Sequence, residues 1–97
     1  MDAPVRSARM TAEAAESIAV SALAFLTDDR RRLIRFLSLT GLTPETLMRE
    51  AAAPSTLAAV LEHLLADESL LLAFAAGAGI RPADIATALR MLSGKSA

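Results

Sequence analysis

The sequence predicts an all-α fold of about six short helices in one compact bundle. Hydrophobic residues make up 54% of the 97 residues, and most of them are alanine and leucine, which favour helix. No stretch shows the alternation of β-branched or aromatic residues with polar ones that is typical of a strand. Gly41 with Pro44, and Gly79 with Pro82, mark points where one helix ends and the next begins.

The first two helices are predicted from apolar spacing and polar caps. Thr11 suits the N-cap of the first helix. The apolar residues of that helix recur at helical spacing, and they are Ile18, Ala22, Phe25 and Leu26. Asp28 and Asp29 end it and cap a second helix, whose apolar side comprises Leu33, Phe36 and Leu37.

The third helix has the clearest local signal in the chain. Gly41 suits the left-handed position after a helix, Thr43 is an N-cap, and Pro44 occupies the first helical position. This helix is short, because it ends in alanines before Pro54. Ser55 or Thr56 is then predicted to cap a fourth helix.

The fourth to sixth helices are rich in leucine and alanine. The sequence leaves open whether residues 55–78 form one kinked helix or two, although Asp67 suits an N-cap between them. No residue from Ser69 to Ile80 is charged. Because a helix that is apolar on every side must be surrounded by protein or lipid, we expect it to be the central helix. Gly79 ends it, and Pro82 opens the sixth helix.

The helices are expected to form one domain over residues 11–93, with residues 1–10 and 94–97 as flexible tails. A shift of 38 residues superimposes part of the chain on itself, which predicts repeats at 17–48 and 55–86. The matched pairs that carry this prediction are Asp29 and Asp67, Phe36 and Phe74, Gly41 and Gly79, and Pro44 and Pro82. We therefore expect two three-helix halves that close face to face.

Two groups of residues carry a resemblance to a known family. The first comprises Ala22–Leu26, Asp29, Leu33, Phe36, Leu37, Thr40–Leu42 and Pro44, and the second comprises Leu64–Glu68 and Leu70–Phe74. These residues resemble a family of small alphaproteobacterial proteins that is known only as a domain of unknown function. The resemblance covers roughly Ala22 to Leu92 and implies a helical cytoplasmic protein. It implies no activity, cofactor or site residue.

Composition narrows the classes of partner. The net charge of −1 provides no overall attraction for nucleic acid or an anionic membrane. The chain has no cysteine, which excludes disulfides and thiolate chemistry. No uncharged stretch reaches the eighteen or so residues that a membrane-spanning helix needs. We expect a cytoplasmic protein.

The chemistry-bearing residues predict no catalytic, metal or cofactor site. His63 is the only histidine, and a metal site needs more histidine or cysteine ligands than the chain provides. We expect His63 to pair with Asp67, four residues later, near the end of the fourth helix. Gly77 and Gly79 are expected at a helix end, with Gly77 allowing close packing.

Arg30, Arg31, Arg32 and Arg35 form the one cluster of charge, and they are the candidate interaction surface. The segment from Leu33 to Ala52 is also predicted to be a helix, a glycine-containing turn and a helix, an outline that is typical of DNA-binding proteins. The would-be recognition helix, however, carries Glu45 and Glu50 and no asparagine, glutamine or lysine for base edges. We expect Asp28 and Asp29 to pair with some of these arginines.

We therefore predict a non-catalytic protein-interaction module, which associates with itself or docks a partner protein. More of the chain is apolar than so short a protein easily buries. The alternative is a nucleic-acid-binding regulator that uses the Arg30–Arg35 face. Neither an enzyme, a small-molecule substrate nor a membrane partner is expected.

Overall fold

The computed structural model describes residues 10–94, which form six α-helices and no strand, as the sequence predicts. The helices are α1 (Ala12–Thr27), α2 (Arg30–Thr40), α3 (Pro44–Arg49), α4 (Pro54–Leu65), α5 (Glu68–Ala78) and α6 (Pro82–Leu92). Residues 55–78 thus belong to two helices. The predicted tails fall mostly on residues 1–9 and 95–97, which lie outside the described residues. Met10, from the first of these tails, packs against the core.

Four helices begin at the polar caps that the sequence predicts. In each, a side-chain oxygen accepts a hydrogen bond from a backbone N–H of the first turn, which otherwise has no partner in the helix. The caps are Thr11, Asp29, Thr43 and Asp67. Two helices end at left-handed glycines, Gly41 with φ 78° and Gly79 with φ 69°. The predicted positions of both glycines are confirmed.

Helix α4 begins differently from the prediction. Its N-cap is Ala53 and Pro54 occupies the first helical position, so neither Ser55 nor Thr56 is the cap. The reason is that proline lacks an N–H, has φ already near the helical value, and so starts a helix without losing a bond. Thr56 is instead buried in the core.

Helices α1, α4 and α6 pack against one another and form the centre of the bundle. Helix α1 contributes small residues to this core, and α4 contributes larger ones. The fully buried residues of α1 and α4 are Ala15, Ala19, Ala22, Leu26, Leu57, Val60, Leu61 and Leu64. Alanine on α1 lets α4 and α6 approach closely.

The prediction that the uncharged helix α5 is central is wrong. Helix α5 packs mainly on α4, buries Phe74 and Ala75, and leaves Leu72 50% exposed. Alanine and glycine expose little apolar area each, so a helix rich in them can lie at the surface at modest cost. Helix α4 buries the most residues, seven, and lies with α1 and α6 at the centre of the bundle.

Two three-helix halves are not confirmed by the packing. Helix α6 packs against both α1 and α4, whereas the corresponding α3 lies at the edge of the bundle and buries Leu47 alone. The two phenylalanines matched by the shift are nevertheless both in the core, with Phe36 fully buried and Phe74 3% exposed.

Candidate interaction surface

The predicted arginine cluster lies in the first half of α2, directly after its N-cap. Asp29 accepts hydrogen bonds from the backbone N–H groups of Arg31 at 2.9 Å and Arg32 at 3.2 Å. The helix therefore starts where the arginines start, and it distributes them around its circumference. Arg30, Arg31 and Arg35 are exposed, while Arg32 is half-buried.

Arg32 is separated from the other three arginines by its contact with an aromatic ring. Its guanidinium carbon lies 4.0 Å from the centroid of the Phe25 ring, which is a cation–π geometry. The structure thus places three of the four predicted residues on a cationic outer surface and the fourth against α1.

The expected pairing of these arginines with Asp28 and Asp29 is not observed. Among residues 10–94 the ion pair found joins Arg81 to Asp84 at 3.1 Å, and its hydrogen bonds raise the pKa of Arg81. The physical reason lies at Asp29, because its carboxylate is turned to the N-terminus of α2 as a cap. The outer surface of α2 also exposes Ile34 and Leu39, so it is both cationic and apolar.

The side chain of His63 is buried inside the bundle. It is 9% exposed, and its ring meets the Phe36 ring edge-on, with centroids 5.2 Å apart. Its buried Nε2 has no hydrogen-bond partner among the described residues. Burial lowers the pKa of His63, nearby Arg35 lowers it further, and Asp67 acts in the opposite direction.

The predicted pairing of His63 with Asp67 is therefore wrong. The Asp67 carboxylate accepts a hydrogen bond from the backbone N–H of Leu70 at 3.2 Å, since it caps α5. No hydrogen bond or ion pair joins the two side chains in the described part of the chain. That part also contains no group of three residues able to hold a metal ion.

Helix α5 exposes an uncharged surface, although the sequence predicted this helix to lie in the interior. We call Ser69, Leu72, Ala73, Ala76 and Gly77 the α5 face, since all five are exposed on that helix. Leu72 is the large apolar side chain of this face. Helix α1 is also uncharged from Ser17 to Thr27, and its Val20 is 49% exposed.

A groove of about 370 Å³ runs between α1 and α5, beside the α5 face. Its floor contains Phe25 and Phe74, whose ring centroids are 5.4 Å apart with the planes tilted by 56°. Small residues form its walls and Asp28 lies at its rim. These other lining residues are Ser21, Ala24, Asp28, Gly77 and Ala78.

A second hollow of about 500 Å³ lies on the opposite side of α5, where the chain turns into α6. It is lined by Leu72, Ala75, Ala76, Gly79, Ile80, Arg81 and Pro82. Leu72 and Ala76 therefore line this hollow and not the groove between α1 and α5.

Gly77 does not pack closely against anything in the described chain. A Cβ built on it would meet no atom within 4 Å, and its φ is not positive. The expectation that Gly77 serves close packing is thus not met among residues 10–94. The residues of the α5 face were missed because an uncharged helical run predicts burial and does not show which side stays open.

Comparison with known protein families shows which family the chain belongs to. The family described as protein of unknown function DUF3572 matches residues 12–95, which include all six described helices. The chain belongs to this family. No curated protein and no solved structure matches the chain. The family description names no activity, so the function is inferred from the geometry of the surface.

Within residues 10–94, no single helix is long and apolar enough to cross a membrane. Helices α5 and α6 reach such a length only as a pair, and they are bent by 101° relative to each other.

Proposed function

We propose that this protein is a non-catalytic protein-interaction module and that the α5 face is its docking surface. One observation carries the proposal: α5 has no charge after Glu68, yet it lies at the surface of the bundle with Leu72 50% exposed. Contiguous exposed apolar surface on a small protein is typical of a binding site. Burying apolar surface against a partner contributes roughly 25 cal/mol of favourable free energy per Å².

The non-catalytic part of this proposal is supported by the placement of His63. Its ring packs against Phe36 and its Nε2 is buried, so it does not reach a substrate. The partner is a protein, either a second copy or another chain. The cytoplasmic location and alphaproteobacterial origin implied by the resemblance belong to the same proposal.

Photo-crosslinking in cells tests the docking surface. A photoreactive phenylalanine analogue is placed at Ala73, on the α5 face, and in a separate variant at Ala52, an exposed alanine between α3 and α4. We expect a discrete protein adduct from position 73 and none from position 52. No adduct from position 73, or equal adducts from both, contradicts the proposal.

A second candidate function is nucleic-acid binding by α2, because Arg30, Arg31 and Arg35 are exposed without a carboxylate partner in the described chain. Three phosphate contacts predict a slope of about −2.7 for log K against log salt on duplex DNA. Glu45 in the neighbouring α3 and Glu50, the residue that ends that helix, are acidic and oppose this function.

A titration of labelled duplex and single strands decides between the two functions. We expect no binding at about 50 mM salt, where phosphate contacts are strongest. Salt-sensitive binding that is abolished by Arg31→Glu and Arg35→Glu establishes the second candidate instead.

A further inference from the structure

The exposed side of α2 mixes arginine with apolar residues. Residues four apart in a helix lie next to one another on one face, so the exposed residues of α2 form two adjacent rows. We call them the α2 outer face, and the two rows are Arg30, Ile34 and Ser38, and Arg31, Arg35 and Leu39. Guanidinium groups and apolar side chains are therefore interspersed over one surface about 15 Å long.

This arrangement does not stabilise the chain by itself. Arg30 and Arg31 lie in the first turn of α2, where the positive end of the helix dipole makes a cation unfavourable. Ile34 is 51% exposed and Leu39 is 65% exposed, so much of their apolar area stays in water. Among residues 10–94, no ion pair joins the arginines of this face to a carboxylate. Both kinds of side chain are therefore available to a partner.

We infer that the α2 outer face binds an acidic segment of a partner protein, in which carboxylates lie beside apolar side chains. This surface consists of other residues than the α5 face, so the inference goes beyond the proposed function. Charge complementarity selects the occupant. A guanidinium group holds a carboxylate through two parallel hydrogen bonds, and protein interfaces are enriched in arginine and depleted in lysine. All the cations of this face are arginines.

The positions of the apolar residues favour a protein over a membrane. A helix that lies on a membrane gathers its apolar residues on one side, away from its cations. Ile34 and Leu39 instead lie about 140° apart around the helix axis. Arg31 and Arg35 lie between them on the same face. An acidic segment with its own apolar side chains can contact both kinds of residue at once.

Nucleic acid fits this surface less well than an acidic segment does. A phosphate backbone neutralises the arginines but leaves Ile34 and Leu39 uncovered. Glu45 and Glu50 lie in and directly after α3, which follows the C-terminal end of α2 and does not pack along it. A short acidic segment over the first two turns of α2 avoids both carboxylates. A duplex extends beyond a helix about 16 Å long and meets them.

Fluorescence anisotropy of a labelled synthetic peptide, titrated with the full chain, tests the inference. The probe is a helical peptide of about four turns that carries glutamate and leucine on one face. We expect saturable binding with a Kd of about 1–100 μM at about 50 mM salt, and weaker binding at about 200 mM, because salt screens exposed charges. The same peptide with every glutamate replaced by glutamine should not bind.

Two pairs of variants locate the binding on α2. Arg31→Glu should raise the Kd at least about tenfold, because repulsion replaces attraction. Its control is Arg90→Glu, which makes the same change of net charge at an exposed position of α6 and should leave the Kd unchanged. Ile34→Ser should raise the Kd about threefold or more, since it removes apolar contact area. Its control is Leu72→Ser on the α5 face, because Ile34 is 51% exposed and Leu72 is 50% exposed.

Several outcomes overturn the acidic segment as the occupant. These are no peptide binding, equal binding of the glutamine peptide, or the same effect of each variant and its control. Duplex DNA or phosphatidylglycerol vesicles that bind in place of the peptide, and lose binding with Arg31→Glu, show that the ligand is nucleic acid or a membrane. A sedimentation mass above 10.2 kDa that Arg31→Glu returns to one chain shows that it is a second copy.

The two proposals fail separately. A peptide that does not bind leaves the α5 face and its adduct at position 73 unaffected. Absence of that adduct contradicts the α5 face as a docking surface, whereas peptide binding that depends on Arg31 and Ile34 still supports the α2 outer face.

Discussion

Helices α2 and α5 have the same local construction and expose opposite kinds of surface. Each follows an aspartate cap, buries one phenylalanine and ends at a left-handed glycine. The matched pairs are Asp29 and Asp67, Phe36 and Phe74, and Gly41 and Gly79. Outside, α2 carries three exposed arginines and α5 carries no charge after Glu68. Caps and buried side chains determine where each helix starts and ends and how it packs, whereas the outward residues are free to carry the function.

The helices that follow them differ in a second way. Helix α3 has six residues and lies at the edge, whereas α6 has eleven and packs into the core against α1 and α4. The same glycine–proline junction starts both. A local signal therefore determines where a helix starts but not how much of the core it supplies.

The largest expected effect comes from removing the buried ring of each helix. Phe36→Ala and Phe74→Ala should each lower the free energy of unfolding by about 3–5 kcal/mol. We expect Phe36→Ala to cost at least as much, because its ring is fully buried while the Phe74 ring lines an open groove. Thermal melts provide the measurement, and a melting temperature within a degree or two of wild type for either variant contradicts its place in the core.

The glycines that end α2 and α5 should respond alike. Gly41→Ala and Gly79→Ala should each destabilise the protein by about 1–2 kcal/mol, because alanine is strained at positive φ. Gly77→Ala is the matched control, since that glycine is helical and the same change should stabilise by up to about 1 kcal/mol. Urea unfolding of the three variants tests the opposite signs. A gain in stability at position 41 or 79 shows that the corresponding helix boundary is wrong.

Removing the aspartate caps of α2 and α5 should lower the free energy of unfolding by smaller amounts, which differ between the two helices. Asp67→Ala should cost about 1 kcal/mol, the usual effect of losing a cap. Asp29→Ala should cost more, because Asp29 accepts two hydrogen bonds and its charge lies beside the arginines of α2. Asn at each position is the control, since it keeps the hydrogen-bond acceptor and removes the charge. Equal losses for both alanine variants argue against any contribution of the arginines.

Acid should destabilise the protein through His63, which packs against the buried ring of α2. Phe36 lies against His63, while Phe74 lies against Phe25. Because the pKa of His63 is lowered by folding, the unfolded chain binds more protons as pH falls below about 6.5. The free energy of unfolding should therefore decrease from neutral pH toward pH 5. Protonated His63 is also repelled by the charge of Arg35 and attracted by that of Asp67.

Urea unfolding at two pH values isolates this contribution. The comparison is with His63→Gln, which keeps a polar side chain and does not titrate. We expect the loss of stability on acidification to be smaller in the variant. An equal loss in both proteins shows that His63 does not contribute to the pH dependence.

The sequence by itself determined the class of the fold and most helix boundaries. Thr11, Asp29, Thr43 and Asp67 cap the helices as predicted, and Gly41 and Gly79 end them. These features depend on the backbone within a few residues, so neighbouring side chains suffice to predict them. The start of α4 was missed because a proline at the first helical position competes with a nearby serine or threonine cap.

Only the tertiary structure decided which helix is central and which surface stays open. The uncharged run of α5 predicted burial, yet the limited space around α4 is taken by α1 and α6, and α5 packs on its outside. The same packing buries His63 against Phe36 and turns Arg32 onto Phe25, away from the other arginines. The order of residues shows how apolar each helix is, but the competition of helices for one core decides which apolar side remains exposed.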